Sequence, residues 1–169
     1  MLMLAELNSL SRDEFVRIVG PVFEHSPWIA EVTWAGRPFT CVDQLHAALC
    51  QAVRGANEGQ KLTLIRAHPD LVGRAALAGT LTRESAGEQA SAGLSRLTAE
   101  EIAAFQNYNA AYREKFGFPF VICARLNKKE AILAGFAARL HNSPEQEVVA
   151  ALDEIFKIAE LRLRDLIGS

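Results

Sequence analysis

The sequence has few cysteines and little net charge. Its three cysteines, Cys41, Cys50 and Cys123, form no CxxC pair. An odd number at wide spacing argues against a disulfide framework and against a zinc site. The formal net charge of −2 gives no electrostatic footprint of a protein that binds nucleic acid or an anionic membrane. We therefore expect reduced, buried cysteines in a cytoplasmic protein that has no nucleic-acid partner.

Long apolar runs are also missing, and the first residues do not have the features that we expect of a leader segment. No run approaches the ~20 residues that a membrane helix needs. The first residues, MLMLAELNSLSRDEF, carry no basic region, and Glu6 and Asp13 come too early for a signal peptide. We expect no membrane partner and a cytoplasmic location.

Strand signals are nearly absent, whereas helix signals follow one another along the chain. The one strand candidate, residues 118–123, is too short and too isolated to build a sheet. Half of the residues are hydrophobic, which is enough for a core without disulfides or metals. The sequence predicts an all-α fold, a single-domain helical bundle of about eight or nine helices over residues 1–169. The predicted helical segments, with their capping residues, are about 11–19, 26–35, 42–54, 58–67, 70–79, 81–92, 98–116, 127–140 and 143–167.

Several of these helices begin at recognisable capping sequences. Ser11 with Glu14 and Thr98 with Glu101 have the spacing of a capping box. Ser26 and Ser143 each precede a proline, which is typical of an N-cap followed by the first helical residue. Asn127 with Glu130 predicts a further N-terminal cap.

Arg162 breaks the pattern of the last helix. The apolar stripe of that helix includes Leu152, Ile155 and Ala159, and its three-four spacing places Arg162 on or beside the buried face. A buried guanidinium needs a partner anion. One explanation is an internal salt bridge or a stem that reaches out to solvent. The other is a site for a substrate carboxylate, which suits the planar fork of arginine.

His68 lies at the end of a predicted helix and is followed by Pro69. An imidazole titrates near neutral pH, so His68 can give or take a proton at the pH of the cell. The alternative is a histidine that caps helix-end carbonyls. The other histidines, His25, His46 and His141, show neither HxxxH nor HExxH spacing, so a histidine metal site has weak support.

Two further segments are candidates for ligand contact. Ser85 and Glu88 share one face of a helix of small residues, which allows a ligand to approach closely. The alternative is a close contact between helices beside a solvated glutamate. Residues 117–123 join two helices in an extended conformation, so their backbone groups can bond a planar, amide-rich ligand. A simple buried connector is equally compatible with that segment.

Taken together, the motifs of the chain resemble those of the 2-oxo-4-hydroxy-4-carboxy-5-ureidoimidazoline (OHCU) decarboxylase family. The order and the separation of the HPDL and FGFPFV blocks are specific, although either block alone would be weak. The resemblance extends from about residue 27 to residue 163. The matching stretches are Pro27-Trp28, Ala67 to Leu71, Thr82 to Ser85 with Glu88-Gln89, Asn107 to Asn109 with Tyr112, Phe116 to Ala124, and Glu160 to Leu163.

The resemblance implies a reaction and roles for particular residues. It implies cofactor-free decarboxylation of OHCU, a small ureide, to (S)-allantoin and CO2 in urate catabolism. His68 corresponds to the catalytic proton donor of the family, and Glu88 and Arg162 to its acidic and basic partners. The family is all-helical and typically dimeric, with no metal or organic cofactor. The positions that correspond to substrate contacts are Pro69, Ser85, Ala86, Gly87, Glu88, Gln89, Phe120, Val121, Ile122, Cys123 and Ala124.

Two other classes of function stay open on the sequence. One is a different enzyme that acts on a ureide, such as a metal-free hydrolase or an isomerase. Release of CO2 without ammonia would separate decarboxylation from these reactions. The other class is a helical binding or interaction module, which would bind a ureide without turning it over.

Overall fold

Ten α-helices and two 3-10 helices make up the regular structure of residues 1–168, the part of the chain that the computed structural model describes. Within these residues there is one isolated β-bridge, between Leu2 and Ile167, and no β-strand. The predicted all-α class is therefore confirmed. The 3-10 helices are Gly20–Val22 and Ala124–Leu126. The α-helices are α1 (Leu4–Ser9), α2 (Arg12–Val19), α3 (Trp28–Trp34), α4 (Val42–Arg54), α5 (Glu58–Ala67), α6 (Arg74–Leu77), α7 (Arg83–Ser91), α8 (Ala99–Phe116), α9 (Lys129–Arg139) and α10 (Pro144–Leu166).

The contacts of the chain group its residues into two compact units. The first unit contains residues 1–67 and 156–168, and the second contains residues 68–155. The expected single domain over the whole chain stays a prediction. None of the helices within residues 1–168 has both the length and the apolar content required to span a bilayer.

Capping boxes predicted the beginnings of α2 and α8 correctly. The Ser11 hydroxyl accepts a hydrogen bond from the Glu14 N–H, and the Glu14 carboxylate accepts one from the Ser11 N–H at 3.1 Å. The Thr98 hydroxyl accepts from the Glu101 N–H at 3.1 Å. The Glu101 carboxylate does not complete a second box, because it binds the Lys129 ammonium at 2.9 Å.

Two of the predicted caps are wrong. The Ser26 hydroxyl donates to the Glu24 carbonyl at 2.8 Å, and α3 begins only after Pro27. The Asn127 amide donates to the Cys123 carbonyl at 2.9 Å, and α9 begins after Lys128. In both cases the polar side chain bonds the chain that precedes it, so it stabilises the turn before the helix rather than the helix itself.

The helix predicted over residues 70–79 is mostly absent. Only α6 is helical there, and Val72 has a positive φ of 53°. A left-handed residue cannot continue a right-handed helix. The chain from Asp70 to Gly73 instead forms a turn, in which the Gly73 N–H donates to the Asp70 carbonyl at 3.3 Å.

The first unit packs its helices around a core of aliphatic and aromatic side chains. Phe15 and Val19 of α2 are fully buried, as are Leu45, Leu49 and Val53 of α4. Their four-residue spacing gives each helix one apolar face. Complete burial of such side chains contributes about 1.5–3 kcal/mol each.

The second unit has an aromatic core. The Tyr112 ring contacts the rings of Phe116, Phe118, Phe120 and Phe136. The rings of Phe120 and Phe136 are stacked, with their centroids 3.8 Å apart. This core fixes the extended segment after α8, because Phe118 and Phe120 are two of its members.

Candidate active site

His68 is the first residue of the second unit and follows α5 directly in the chain. It is 6% exposed. Pro69 has no N–H, and its ring disfavours helical geometry at His68. The helix consequently stops here, and the imidazole occupies a bend rather than a helical turn.

The turn after His68 is held by side chains of two neighbouring helices. Gln89 of α7 accepts a hydrogen bond from the Val72 N–H at 3.1 Å, and its amide donates to the Asp70 carbonyl at 3.4 Å. Asn109 of α8 donates to the Leu71 carbonyl at 2.8 Å. Three consecutive residues of the turn thus bond α7 or α8 through their backbone groups.

The side chain of Asp70 adds an ion pair to these contacts. The Arg113 Nε–H lies 3.0 Å from both carboxylate oxygens of Asp70. Gly73 closes the turn, and a Cβ at that position would lie 2.6 Å from the Cβ of Asp70. A larger residue at Gly73 would therefore force the turn apart.

Helix α7 carries four of the predicted substrate contacts in addition to Glu88. Its N-cap is Thr82, whose hydroxyl accepts from the Ser85 N–H at 3.2 Å. Ser85 is buried, whereas Ala86 and Gly87 are exposed. A Cβ on Gly87 would meet no atom within 4 Å, so the space beside this part of the helix is open. Glu88 is partly buried on the same helix.

Glu88 lies near Cys123, so two of the predicted contact segments adjoin. Helix α7 packs against the 3-10 helix Ala124–Leu126, which follows Cys123 directly. Burial raises the pKa of the Cys123 thiol, and the negative charges of Glu154 and Glu88 add to the rise. The second unit therefore brings together residues 70–72, α7 and the segment 120–124.

The backbone of residues 121–123 already has partners among the side chains of the protein. The Val121 carbonyl accepts a hydrogen bond from Arg139 Nη1 at 2.6 Å. The Cys123 N–H donates to Glu154 at 3.4 Å, and the Cys123 carbonyl accepts from Asn127 at 2.9 Å. These bonds fix the segment in its extended conformation. The Val121 carbonyl has a second lone pair, so a ligand could still donate to it. The Cys123 carbonyl also accepts from the Leu126 N–H at 3.1 Å, which uses its second lone pair.

Glu147 is the centre of a buried polar network that the sequence did not indicate. It is fully buried and accepts hydrogen bonds from Tyr112, from Arg139 at 2.8 Å and from Asn142 at 2.9 Å. The guanidinium of Arg139 also lies over the Phe120 ring, 4.3 Å from its centroid. Arg139 therefore joins the network to residues 120–121 by two contacts, the hydrogen bond to the Val121 carbonyl and the stacking of its guanidinium on the Phe120 ring.

Arg162 lies in the first unit and has an internal partner there. Its Nη2 donates to Glu24 at 2.9 Å, and the two side chains are 5% and 2% exposed. Its Nη1 lies 3.3 Å from the Pro21 carbonyl and 3.5 Å from the Val22 carbonyl. The burial of Arg162 follows the prediction, and Glu24 is an internal anion of the kind that the salt-bridge explanation requires. Its role toward a substrate stays a prediction.

An apolar pocket of about 420 Å³ lies beside the turn in the second unit. Its lining includes Val72, Ala86, Gln89, Leu94 and Ile102. Among the described residues there is no cluster of three or more His, Cys, Asp or Glu side chains that could hold a metal ion.

The sequence model of the OHCU decarboxylase family matches residues 8–164 of the chain. Two relatives called 2-oxo-4-hydroxy-4-carboxy-5-ureidoimidazoline decarboxylase are similar over nearly their whole length. The protein of Amia calva is 46% identical over 97% of this chain and 94% of its own. The protein of Haloferax volcanii is 43% identical over 99% of this chain and 98% of its own.

One solved structure with clear sequence similarity is described as an (S)-allantoin synthase. It superposes with a TM-score of 0.80 at 31% identity and covers 100% of this chain. The chain spans 55% of the length of that protein. Its fold therefore matches all of the present chain, and the solved protein contains further sequence beyond it.

Proposed function

The chain belongs to the OHCU decarboxylase family, and we propose on this basis that it converts OHCU into (S)-allantoin and CO2 in urate breakdown. The observation that carries the proposal is the arrangement of the second unit. There the turn after His68, helix α7 and the segment that contains Cys123 adjoin. These are three of the segments whose motifs carry the resemblance.

The substrate itself contains the electron acceptor that its decarboxylation needs. The carboxylate is attached to a hydroxylated ring carbon beside a C=N bond. When the bond to CO2 breaks, the electron pair moves into that C=N, and its nitrogen takes up one proton. The hydroxyl then becomes a carbonyl as its proton is lost and a proton is added to the ureido-bearing carbon. No separate electron sink is required, which supports a reaction without a cofactor.

His68 is proposed to move the proton that decides the handedness of the product. In this proposal it takes or relays the hydroxyl proton and then delivers a proton to one face of the ureido-bearing carbon. Its near-complete burial suits that task, because a buried donor reaches the substrate from one direction only. Positioned proton transfer of this kind contributes about 100- to 10,000-fold to a rate.

Glu88 and the segment 120–124 are proposed to bind the ureide. Glu88 would accept hydrogen bonds from ring or ureido N–H groups and would orient His68. Ser85 to Gln89 on α7, with Pro69, would complete the substrate contacts, and the backbone of residues 121–124 would bind the planar ureido group. The proximity of Glu88 to Cys123 supports this division of roles.

Arg162 is proposed to hold an oxygen atom on which negative charge develops. Its guanidinium is also paired with Glu24. Tight ground-state binding of the leaving carboxylate would oppose its loss, because catalysis depends on stronger binding of the transition state.

We also retain as proposals that the enzyme is a homodimer and that it acts in the cytoplasm. Light scattering at native concentration measures the mass directly. A homodimer has twice the 18.5 kDa of one chain.

The proposed function is tested with freshly generated OHCU and with circular dichroism of the product. We expect His68→Asn to lower kcat by about 100- to 10,000-fold, because the directed proton donor is lost. His141→Asn is the matched control, because His141 is exposed and lies in the same unit. A His68→Asn enzyme that forms (S)-allantoin at the wild-type rate would contradict the mechanism.

The same assay examines Arg162 and the rival reactions. Arg162→Lys keeps the charge and removes the planar fork, so we expect a loss of about tenfold or more in kcat/KM. Unchanged kinetics would leave Arg162 as a structural partner of Glu24. Release of ammonia in place of CO2 would indicate a hydrolase, and binding of (S)-allantoin without turnover of OHCU would indicate a binding module.

A further inference from the structure

We propose that Asn109 and Gln89 are positioning residues for His68, which hold the turn at residues 70–72 in a conformation that its own side chains disfavour. This inference rests on the proposed function, since it assigns the two residues to the group that moves the proton. In this role neither residue needs to touch the reacting atoms.

The turn contains a strained residue. Val72 has a φ of 53°, in the left-handed region, where a β-branched side chain collides with its own backbone. Without contacts that hold the turn, Val72 would adopt a negative φ. An outlier of this kind persists only when the surrounding structure holds it, and such outliers concentrate at functional sites.

Two buried amides supply the contacts that hold it. Gln89 bonds the turn on both sides of Leu71, at the Asp70 carbonyl and at the Val72 N–H. Asn109 bonds the Leu71 carbonyl between them. Gln89 and Asn109 are 6% and 7% exposed. All three bonds go to the backbone, so they constrain its φ and ψ angles directly and do not depend on the side chains of the turn.

Asn109 is a costly residue at its position. Its Oδ1 atom is buried and has no hydrogen-bond partner within residues 1–168. A buried acceptor without a partner lowers stability. The bond to the Leu71 carbonyl offsets that cost, because an apolar residue at position 109 would leave this carbonyl without its side-chain donor.

The constraint extends from the turn to His68 over a short stretch of chain. Only Pro69 and Asp70 separate His68 from Leu71. The ring of Pro69 fixes its own φ and restricts His68 to extended geometry. A change of φ at Val72 would release the backbone of Asp70 and Leu71, and the imidazole would shift with it. A shift of about 1 Å in a reacting group can lower a rate about 100-fold.

The decisive experiment is a double-mutant cycle between Asn109 and Val72. Asn109→Leu removes the bond to the Leu71 carbonyl and keeps the number and branching of the side-chain heavy atoms. We expect kcat to fall by about 10- to 100-fold, with KM changed much less. Val72→Gly removes the strain, because glycine adopts positive φ freely. The double variant should therefore recover about three- to tenfold in kcat over Asn109→Leu alone, which is a coupling between the two sites.

A second readout follows the imidazole without the reaction. NMR of the four histidines, with His68→Gln to assign the signal, gives the environment of His68 and its titration. We expect this signal to move in Asn109→Leu and to return toward its wild-type position in the double variant. Asn107→Leu, at an exposed position of the same helix, should leave the His68 signal and kcat unchanged.

The outcomes separate this inference from the proposed function. If the wild-type protein does not decarboxylate OHCU, the proposed function fails, and the NMR cycle still tests the positioning. Independent, additive effects of Asn109→Leu and Val72→Gly in both readouts would refute the inference. Should Asn109→Leu not fold, Gln89→Met breaks the other bonds to the turn and must show the same recovery with Val72→Gly. A raised KM with unchanged kcat in Gln89→Met would limit Gln89 to its proposed substrate contact and would refute its positioning role.

Discussion

Cys123 is a buried thiol of the second unit. Burial, together with the charges of Glu154 and Glu88, raises the pKa of Cys123, so the thiol stays protonated and unreactive near neutral pH. Glu88→Gln removes one of these charges. We expect alkylation of Cys123 by iodoacetamide to become about two- to threefold faster, the size of a screened charge interaction.

Mass spectrometry distinguishes this thiol from the exposed Cys41 and the buried Cys50. Glu84→Gln is the control, because Glu84 is an exposed residue on the same helix. Equal alkylation rates in Glu88→Gln and Glu84→Gln would argue against the proximity of Glu88 and Cys123.

At the scale of single residues, the sequence predicts which side chains are buried better than it predicts which residues they bind. The stripe of the last helix indicated that Arg162 is buried, because helical spacing reports the face on which a residue lies. It could not indicate Glu24, which is 138 positions away. In the sequence, Asn109 was only one residue of a matching motif. Its bond to the Leu71 carbonyl depends on how α8 packs against residues 70–72, which are distant in the chain.

At the scale of secondary structure, local signals predicted helices wherever no distant partner competed. The bounds of α4 and α5 agree with the sequence because apolar spacing and a following Gly or Pro determine them. Residues 70–73 form a turn instead of a helix because Gln89, Asn109 and Arg113 bind them from other helices. Propensity is a weak signal that tertiary contacts of this kind override.

The Glu147 network gives a prediction at the same scale, because it joins α8, α9 and α10. Glu147→Ala leaves the guanidinium of Arg139 buried without its carboxylate partner. We expect this variant to lower the free energy of unfolding by about 3–5 kcal/mol. Urea denaturation measures the loss.

Glu145→Ala serves as the control for Glu147→Ala. Glu145 is exposed in the first turn of α10, where its removal should cost about 1 kcal/mol at most. Similar losses in the two variants would show that the network contributes little to stability.

At the scale of the whole molecule, we expect Tyr112 to make the free energy of unfolding fall as the pH rises in the alkaline range. Burial raises the pKa of the Tyr112 phenol, and the hydrogen bond to Glu147 adds to the rise. The folded protein thus holds this proton more tightly than the unfolded chain, in which the pKa of tyrosine is about 10. The contribution is complete below that pH and is lost as the pH rises from there toward the folded pKa.

We therefore expect the free energy of unfolding to fall more steeply above about pH 10 in the wild type than in Tyr112→Phe. Urea denaturation at a series of alkaline pH values measures the slope. Tyr108→Phe, which replaces the other tyrosine of the chain, should keep the steep fall. Equal slopes in the wild type and Tyr112→Phe would contradict this assignment.

The bridge between Leu2 and Ile167 brings the two ends of the described chain to one point of the first unit. The Leu2 N–H donates to the Leu166 carbonyl at 3.1 Å, and the Gly168 N–H donates to the Leu2 carbonyl at 3.0 Å. Adjacent ends are the geometry that domain insertion and circular permutation require. We therefore expect that residues 1–168 can be inserted into a surface loop of a host protein, because the two junctions with the host backbone would lie close together.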